Sequence, residues 1–202
     1  MPAKNKTSRE GIIAAAFEIV RQGGWAQLSA RSIAKALKTS TMPIYSQFAT
    51  MELIEEEVVK KAISLMAGYE AAPRTDVIAL NHGIGYVLFA WEEPHLFAAI
   101  NDEKHVAMQT RFGDTLFDAH VAELANNTKM AGLSQEQLRY FQFMAWIFVH
   151  GIASMKHWME QSQGQYDKEK LIELIRDGSK MLTNGFVQNQ ARSLKKSKKG
   201  NL

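Results

Sequence analysis

The sequence predicts an all-α protein, and three observations favour that class. Apolar residues recur at helical spacing in most segments, as at Ile13, Phe17 and Val20, and no segment alternates apolar and polar residues as a half-buried strand does. Short breaks that contain Gly or Pro, such as Gly23-Gly24, separate these segments. The chain has 202 residues, of which 46% are hydrophobic and 22% charged, so it can bury the core of a globular protein.

A first helix is predicted over residues 7–21. Thr7 and Glu10 have the spacing of a capping box at its start, and Gly23-Gly24 ends it. The apolar stripe described above gives this helix one face that can pack against its neighbours.

Two shorter helices follow and are separated by a tight turn. The first spans residues 29–37 and starts at a serine N-cap. The second spans residues 41–48, with Pro43 in its first turn, where a missing N–H costs nothing. Ala34 is small enough for two helices to cross closely, and Ile44 can pack back onto the first of them. This arrangement predicts a helix-turn-helix whose second helix can enter the major groove of DNA.

These residues resemble the DNA-binding region of the TetR family of transcriptional repressors. The shared residues are Leu28, Ile33, Ala34, Leu37, Ser40, Ile44, Tyr45, Phe48 and Leu53. Over the rest of the chain the resemblance is one of helix order. Two residues depart from the family pattern, because Lys38 occupies the turn where the family usually has Gly, and Met51 stands where it often has a phosphate-binding Lys.

The resemblance places Thr41, Met42, Pro43, Tyr45, Ser46 and Gln47 on the face toward DNA. Arg31 and Lys38 are two further residues predicted to contact DNA. Gln47 can form a bidentate pair with adenine, and Met42 and Pro43 can touch thymine methyl groups. Arg31 can contact guanine or phosphate, and Tyr45 can position the helix through its hydroxyl group.

The distribution of charge agrees with DNA binding. Residues 1–50 carry seven Lys or Arg and two Glu, whereas residues 51–191 carry twelve basic and nineteen acidic residues. A basic N-terminal part on an acidic body suits a protein that presents one end to phosphate. We expect Lys4, Lys6, Arg9 and Lys38 to contact phosphate and to compensate in part for Met51.

The remainder of the chain predicts a bundle of helices. A fourth helix is expected over residues 50–69, and later helices over residues 75–92, 102–130, 134–162 and 167–189, with a short turn after Pro94. The predicted domains are a helix-turn-helix DNA-binding domain (residues 1–58), a helical ligand-binding and dimerisation bundle (residues 59–191) and a basic tail expected to be disordered (residues 192–202).

A Trp-x-x-x-His-Gly motif at Trp146–Gly151 is similar to one branch of TetR-like C-terminal domains. The resemblance implies a small, largely apolar or aromatic effector inside the bundle and no cofactor. The predicted ligand-binding residues are Trp91, Phe112, Leu116, Phe117, His120, Trp146, His150 and Met155. His150 lies on the same helical face as Trp146, and either contact with the ligand or a hydrogen bond inside the core accounts for it.

A homodimer is predicted from the last two long helices. One face of the final helix is apolar, and the predicted interface residues are Leu171, Ile175, Gly178, Leu182 and Phe186. The preceding helix is apolar on more than one face, so it needs partners on both sides. The alternative is that one chain buries these faces alone.

Several other classes of protein are disfavoured. The chain has no Cys, which excludes disulfides and thiolate metal sites and fits a cytoplasmic location, and no metal ligands are predicted. Its longest apolar run is too short and too polar for a membrane span. No phosphate-binding loop, nucleophile elbow or paired Glu-x-x-His motif indicates an enzyme, and no catalytic residue is assigned. The resemblance to the TetR family implies a ligand-responsive repressor that binds a palindromic DNA operator as a homodimer. The alternative is a TetR-like sensor or partner-binding protein that has lost DNA binding.

Overall fold

The protein is described by a computed structural model that covers residues 7–162 and 167–200, with side chains described as far as residue 190. Within those ranges the chain forms ten α-helices and no β-strand, which confirms the predicted all-α class. The helices are α1 Arg9–Gly23, α2 Ala30–Leu37, α3 Met42–Gln47, α4 Met51–Ala71, α5 Ile78–Glu92, α6 Pro94–Ile100, α7 Val106–Ala125, α8 Gln135–Ser154, α9 Lys156–Glu160 and α10 Lys168–Gly200. None of the described helices is both long enough and apolar enough to cross a membrane.

Side-chain caps set the starts of three helices. The N-cap of α1 is Ser8, whose hydroxyl oxygen accepts a hydrogen bond from the Gly11 amide at 3.2 Å, so the predicted capping box at Thr7 is misplaced by one residue. Ser29 caps α2 in a reciprocal pair with Ser32, and Ser134 caps α8 in the predicted capping box with Gln137.

Two of the long predicted helices are interrupted. The segment predicted as one helix over residues 102–130 consists of a 3-10 turn at Glu103–His105, α7, and a second 3-10 turn at Thr128–Met130. The helix predicted over residues 134–162 ends at Ser154, and α9 follows Met155. Apolar periodicity continues through these breaks, which explains why the pattern did not reveal them. By contrast, α10 is longer than predicted: it continues to Gly200 and includes most of the tail that was expected to be disordered.

The chain divides into two compact units. The N-terminal unit contains the chain up to Gly68 together with Phe89–Asp114, and the C-terminal unit contains Tyr69–Leu88 together with the chain from Thr115 onward. This division falls inside α4, after Gly68, whereas the predicted boundary follows residue 58. It also assigns α6 and the first part of α7 to the same unit as the helix-turn-helix.

Contacts inside the N-terminal unit explain why α6 belongs there. The indole N–H of Trp25 donates to the carbonyl oxygen of Ala99 at 3.0 Å, and its ring stacks on His105 at a centroid distance of 4.3 Å. Arg21 on α1 binds both carboxylate oxygens of Glu93, the residue immediately before α6. Trp25, which precedes the helix-turn-helix, is thus held by a segment much later in the chain.

The C-terminal unit buries the face of α10 that was assigned to a dimer interface. Leu171 and Ile175 have no exposed surface, and a Cβ atom at Gly178 would collide with the ring of Phe148 on α8. Leu182 and Phe186, the remaining residues of that stripe, pack against a core cluster of the same chain. The cluster consists of Val121, Leu124, Met130, Leu138 and Phe141. Within one chain this apolar stripe therefore packs on α8 and its neighbours, which is the alternative that the sequence left open for this face.

Candidate DNA interface and effector cavity

The helix-turn-helix exposes most of the side chains predicted to meet DNA. Ile44 in α3 and Phe48 immediately after it are buried and hold the helix against the N-terminal unit. Met42 is 78% exposed and Tyr45 is 52% exposed, and the polar residues at positions 46 and 47 are also exposed. Gln47 is the last residue of the helix. The helix thus offers both apolar and polar side chains for contact with bases.

The turn between α2 and α3 has a left-handed residue at its centre. Lys38 has φ 56° and ψ 47°, and it is the one described non-Gly residue with positive φ. The Lys38 amide donates to the carbonyl oxygen of Lys35 at 3.2 Å, and the Thr39 amide donates to that of Ala34 at 2.9 Å. These bonds form a Schellman closure, which explains why Gly suits this position in similar sequences.

Lys38→Gly should therefore make the protein more stable. The left-handed conformation costs an L-residue about 1–2 kcal/mol, so we expect the free energy of unfolding to rise by about 1 kcal/mol in urea denaturation. If Lys38 also neutralises a phosphate, the slope of log affinity against log salt should become shallower by about 0.9. Lys35→Ala on α2 removes the same charge without relieving strain and should not increase stability. An unchanged unfolding free energy for Lys38→Gly would contradict this assignment of strain.

Arg9, predicted to contact phosphate, is already engaged within the N-terminal unit. Its guanidinium forms an ion pair with Glu57 at 2.9 Å and lies over the ring of Phe48 at 4.1 Å. Arg9 therefore braces α1 against α4 and the end of α3. The two other basic residues predicted for this arm, Lys4 and Lys6, lie outside the described residues.

A cavity of about 940 Å³ lies inside the C-terminal unit, which is the size expected for a small-molecule site. Its walls come from α5, α7, α8 and α10, from the end of α4 and from the loop that joins α4 to α5. That loop is shaped by Asn81, which is 7% exposed. The Asn81 side-chain oxygen accepts hydrogen bonds from the amides of Arg74 and Thr75 at 3.2 and 2.7 Å, and its NH₂ group donates to the Thr75 carbonyl at 2.9 Å.

Buried ionisable groups form one part of the cavity wall. Glu70, at the end of α4, is 5% exposed, and one of its carboxyl oxygens lies 3.4 Å from Nε2 of His120. Burial raises the pKa of Glu70 to about 8, and burial together with the nearby His82 lowers the pKa of His120 to about 4. The distance would suit an ion pair, but both groups are uncharged at neutral pH. The His82 and His120 rings are stacked, with centroids 4.0 Å apart.

An aromatic wall is anchored by a hydrogen bond behind it. The Tyr86 hydroxyl is hydrogen-bonded to Nδ1 of His150 at 2.7 Å, and burial raises the pKa of this tyrosine, so the phenol is neutral. The Trp146 ring lies 5.0 Å from that of His150, as expected for residues four apart on one helix. Tyr86 and Trp146 line the cavity, whereas His150 holds Tyr86 in position. His150 of the Trp-x-x-x-His-Gly motif thus makes a hydrogen bond inside the unit, which is one of the two roles that the sequence left open for it.

Of the eight residues predicted to bind a ligand, only His120 and Trp146 line this cavity. Trp91 and Phe112 belong to the N-terminal unit, where cations of Lys60 and Arg111 lie over the Phe112 ring. The others that do not line the cavity are Leu116, Phe117, His150 and Met155. Phe117 packs against the core cluster of the C-terminal unit, and Met155 is 44% exposed beyond the end of α8. Leu116, Phe117 and His150 share helices with the wall but do not line the cavity.

Among the wall residues that sequence reasoning missed are Glu70, His82 and Tyr86. For Glu70 a signal was present, because Ala62, Met66 and Glu70 are spaced four apart and all are buried. An ionisable residue that continues a buried helical stripe indicates either a paired charge or a functional group.

Gly85 allows α5 to approach the part of α4 that carries Glu70. A Cβ atom at Gly85 would collide with the backbone of Tyr69 and Glu70. Gly85→Ala should therefore lower the free energy of unfolding by about 1–3 kcal/mol, since backbone cannot move aside as a side chain can. Gly68→Ala on α4 meets no atom within 4 Å and should stabilise the helix by up to about 1 kcal/mol. Equal unfolding free energies for the two variants would contradict the close approach.

The fold and these two sites define a class of helical proteins with an N-terminal helix-turn-helix and a C-terminal bundle that contains a cavity. The structure is similar to the crystal structure of a TetR variant from Acinetobacter baumannii AYE in complex with minocycline, with a TM-score of 0.57 and 12% sequence identity. The similarity covers 90% of this chain and 97% of that one, so the chain has the TetR fold. No protein-family profile and no curated protein matches the sequence.

Proposed function

We propose that this protein is a ligand-responsive transcriptional repressor of the TetR family, which binds a palindromic operator as a homodimer in the cytoplasm and is released by a small apolar or aromatic effector. The observation that carries the DNA-binding part is the exposure of Met42, Tyr45 and Gln47 on a helix that Ile44 and Phe48 hold in a helix-turn-helix. The cavity in the C-terminal unit supports the proposal of a small-molecule effector. The minocycline complex of the structurally similar TetR supports it further.

The dimer is proposed to form through the outer face of α8 and α10. Tyr140 is 60% exposed, Ile147 is 50% exposed and Met181 is 72% exposed, and Phe143 and Leu174 continue the same apolar surface. Gly151 on α8 and Gly185 on α10 lie on this face, and a Cβ atom at either would meet nothing within 4 Å in the chain. An apolar surface with two open glycines suits the close approach of a second copy by twofold symmetry.

Effector release is proposed to act through α4. Its C-terminal end carries Glu70 at the cavity, and its N-terminal part contributes Ile54 and Val58 to the core of the N-terminal unit. A ligand that favours one position of α4 changes the placement of the recognition helices relative to the two operator half-sites. To shift the population from 1:99 to 99:1, it would need a differential affinity of about 5.5 kcal/mol.

The test of this function is selection of a DNA sequence from a random duplex pool by the purified protein. We expect a palindrome, and Gln47→Ala should relax base preference at one position per half-site by about 1–3 kcal/mol. Ser134→Ala, which removes the cap of α8 in the C-terminal unit, should leave the selected sequence unchanged. A pool that shows no enrichment would favour the alternative, a TetR-like sensor without DNA binding. An unchanged preference in Gln47→Ala would reject its assignment as a base contact.

A further inference from the structure

We propose that the cavity selects effectors that carry a protonated amine on an aromatic body, with the Glu70 carboxylate as the counter-ion. The inference rests on the proposed effector function and specifies the chemical class of ligand that the site accepts.

Glu70 is placed to bind a ligand rather than to stabilise the fold. It is 5% exposed, lines the cavity, and its Oε2 atom makes no hydrogen bond within the described chain. The nearest ionisable group is His120, whose Nε2 lies 3.4 Å away. A buried carboxyl oxygen without a hydrogen bond costs the free protein stability, and a ligand N–H group would satisfy it.

The charges around Glu70 favour a cation there. From α5 and α7 it is faced by His82, Tyr86, His120 and Glu123, and burial lowers the pKa of both imidazoles, so they are neutral at neutral pH. Glu123 lies 3.2 Å from His82. Glu70 is therefore the buried group of this wall that can oppose a positive ligand.

The basic residues of the cavity do not neutralise Glu70. The Arg74 guanidinium donates to the carbonyl oxygens of Tyr69 and Ala72, at the end of α4. The other basic residues of the wall, Lys129, Arg176 and Lys180, are exposed to solvent, which screens them. Asp76, in the loop, is exposed as well.

The remaining wall suits the body of an aromatic amine. Tyr86, Phe141 and Trp146 line the cavity and offer ring faces that attract both apolar groups and cations. The described residues contain no group of three or more metal-ligating side chains at metal-binding geometry. One carboxylate among aromatic rings therefore matches an organic monocation better than a divalent metal ion.

Binding of such a cation should release the proton of the Glu70 carboxyl group. Because burial raises the pKa of Glu70 to about 8, the free protein holds a proton on this carboxyl at pH 7. An ammonium group beside it favours the carboxylate, so the proton leaves to solvent as the ligand enters. The affinity should rise about tenfold per pH unit from pH 6.5 to pH 8, where the imidazoles of His82 and His120 are already neutral.

The experiment uses the full-length protein and probes matched in shape. N-phenyl-1-naphthylamine, a neutral fluorophore, reports occupancy of the cavity. It is displaced by 1-naphthylmethylamine, a cation, or by the neutral 1-naphthalenemethanol. We expect the amine to bind at least tenfold more tightly than the alcohol at pH 8. Calorimetry at pH 7, where Glu70 is almost fully protonated in the free protein, should show about one proton released per amine in two buffers of different ionisation enthalpy.

Glu70→Gln preserves the side-chain volume and removes the charge. It should bind the alcohol as the wild type does, lose at least tenfold in amine affinity and release no proton. Glu173→Gln makes the same change at an exposed position of α10 outside the cavity and should behave as the wild type. If amine and alcohol bind equally, or if Glu70→Gln keeps the wild-type preference, the inference is overturned while the effector site stands. If the fluorophore, the amine and the alcohol all fail to bind, both the inference and the effector part of the proposed function are rejected.

Discussion

Replacing Ile147 and Met181 by glutamate should convert the protein into a monomer and weaken its binding to a palindromic operator by about 10²–10⁴-fold, the range expected when two linked sites act separately. Both residues lie on the exposed apolar face of α8 and α10, so the substitutions do not disturb the core of the chain. A twofold interface contains each residue once from each chain, so four glutamates would be buried there without a charged partner. Sedimentation would report the mass, and binding to a half-site and to a full palindrome would report the loss of affinity.

A matched control introduces the same two charges elsewhere. Val106→Glu with Ala107→Glu alters exposed residues at the start of α7 and should leave the protein dimeric. Glutamate at Leu182 and Phe186 would be a poor test, because these residues pack against the core cluster and their loss would unfold the C-terminal unit. If the Ile147→Glu, Met181→Glu protein still sediments as a dimer, the outer face of α8 and α10 is not the interface.

Glu70→Gln should remove a decrease in stability that the wild-type protein shows between pH 6.5 and pH 8. The pKa of Glu70 is raised by burial from 4.5 to about 8, so between these values the folded chain holds a proton that the unfolded chain has released. Stability then falls with rising pH by about 1.4 kcal/mol per unit. The pKa of His120 is lowered from 6.5 to about 4, which makes stability rise with pH over that interval and offsets Glu70 there.

Above pH 6.5 the contribution of Glu70 is no longer offset by His120. The free energy of unfolding of the wild type should therefore fall by about 2 kcal/mol up to pH 8, relative to that of Glu70→Gln. Urea denaturation of both proteins at several pH values and one protein concentration measures the difference. His120→Gln should change the dependence below pH 6.5 and leave the decrease above it. Parallel stability curves for wild type and Glu70→Gln over this range would show that the carboxyl group is not protonated in the folded protein.

The helix-turn-helix was accessible to sequence reasoning because its signals are local. Ser29 caps α2, Pro43 begins α3, and Ile44 is buried at the spacing that the crossing of the two helices requires. The left-handed Lys38 was visible only as a departure from a family pattern, since its backbone conformation follows from the Schellman closure. Each of these features depends on residues a few positions apart.

The cavity and the proposed dimer face were less accessible to sequence reasoning, because apolar periodicity indicates burial without identifying the partner. The stripe that contains Leu171 and Ile175 was correctly recognised as apolar, but α8 of the same chain covers its helix. Glu70 lies far in sequence from His82 and His120, and only tertiary packing brings the three together around one space. A cavity is a volume that side chains leave unfilled, and helical spacing does not measure volume.

The loop between α4 and α5 is held by three polar side chains, and this has an evolutionary consequence. Asn81 bonds the backbone of Arg74 and Thr75, and the side chains of those two residues bond loop carbonyls in turn, whereas Val77 and Ile78 are 49% and 60% exposed. Among descendants of this gene, the exposed positions can vary as long as these three residues are retained. A lineage could thereby acquire a different ligand preference through substitutions in this wall of the cavity, without first having to rebuild the helices that support it.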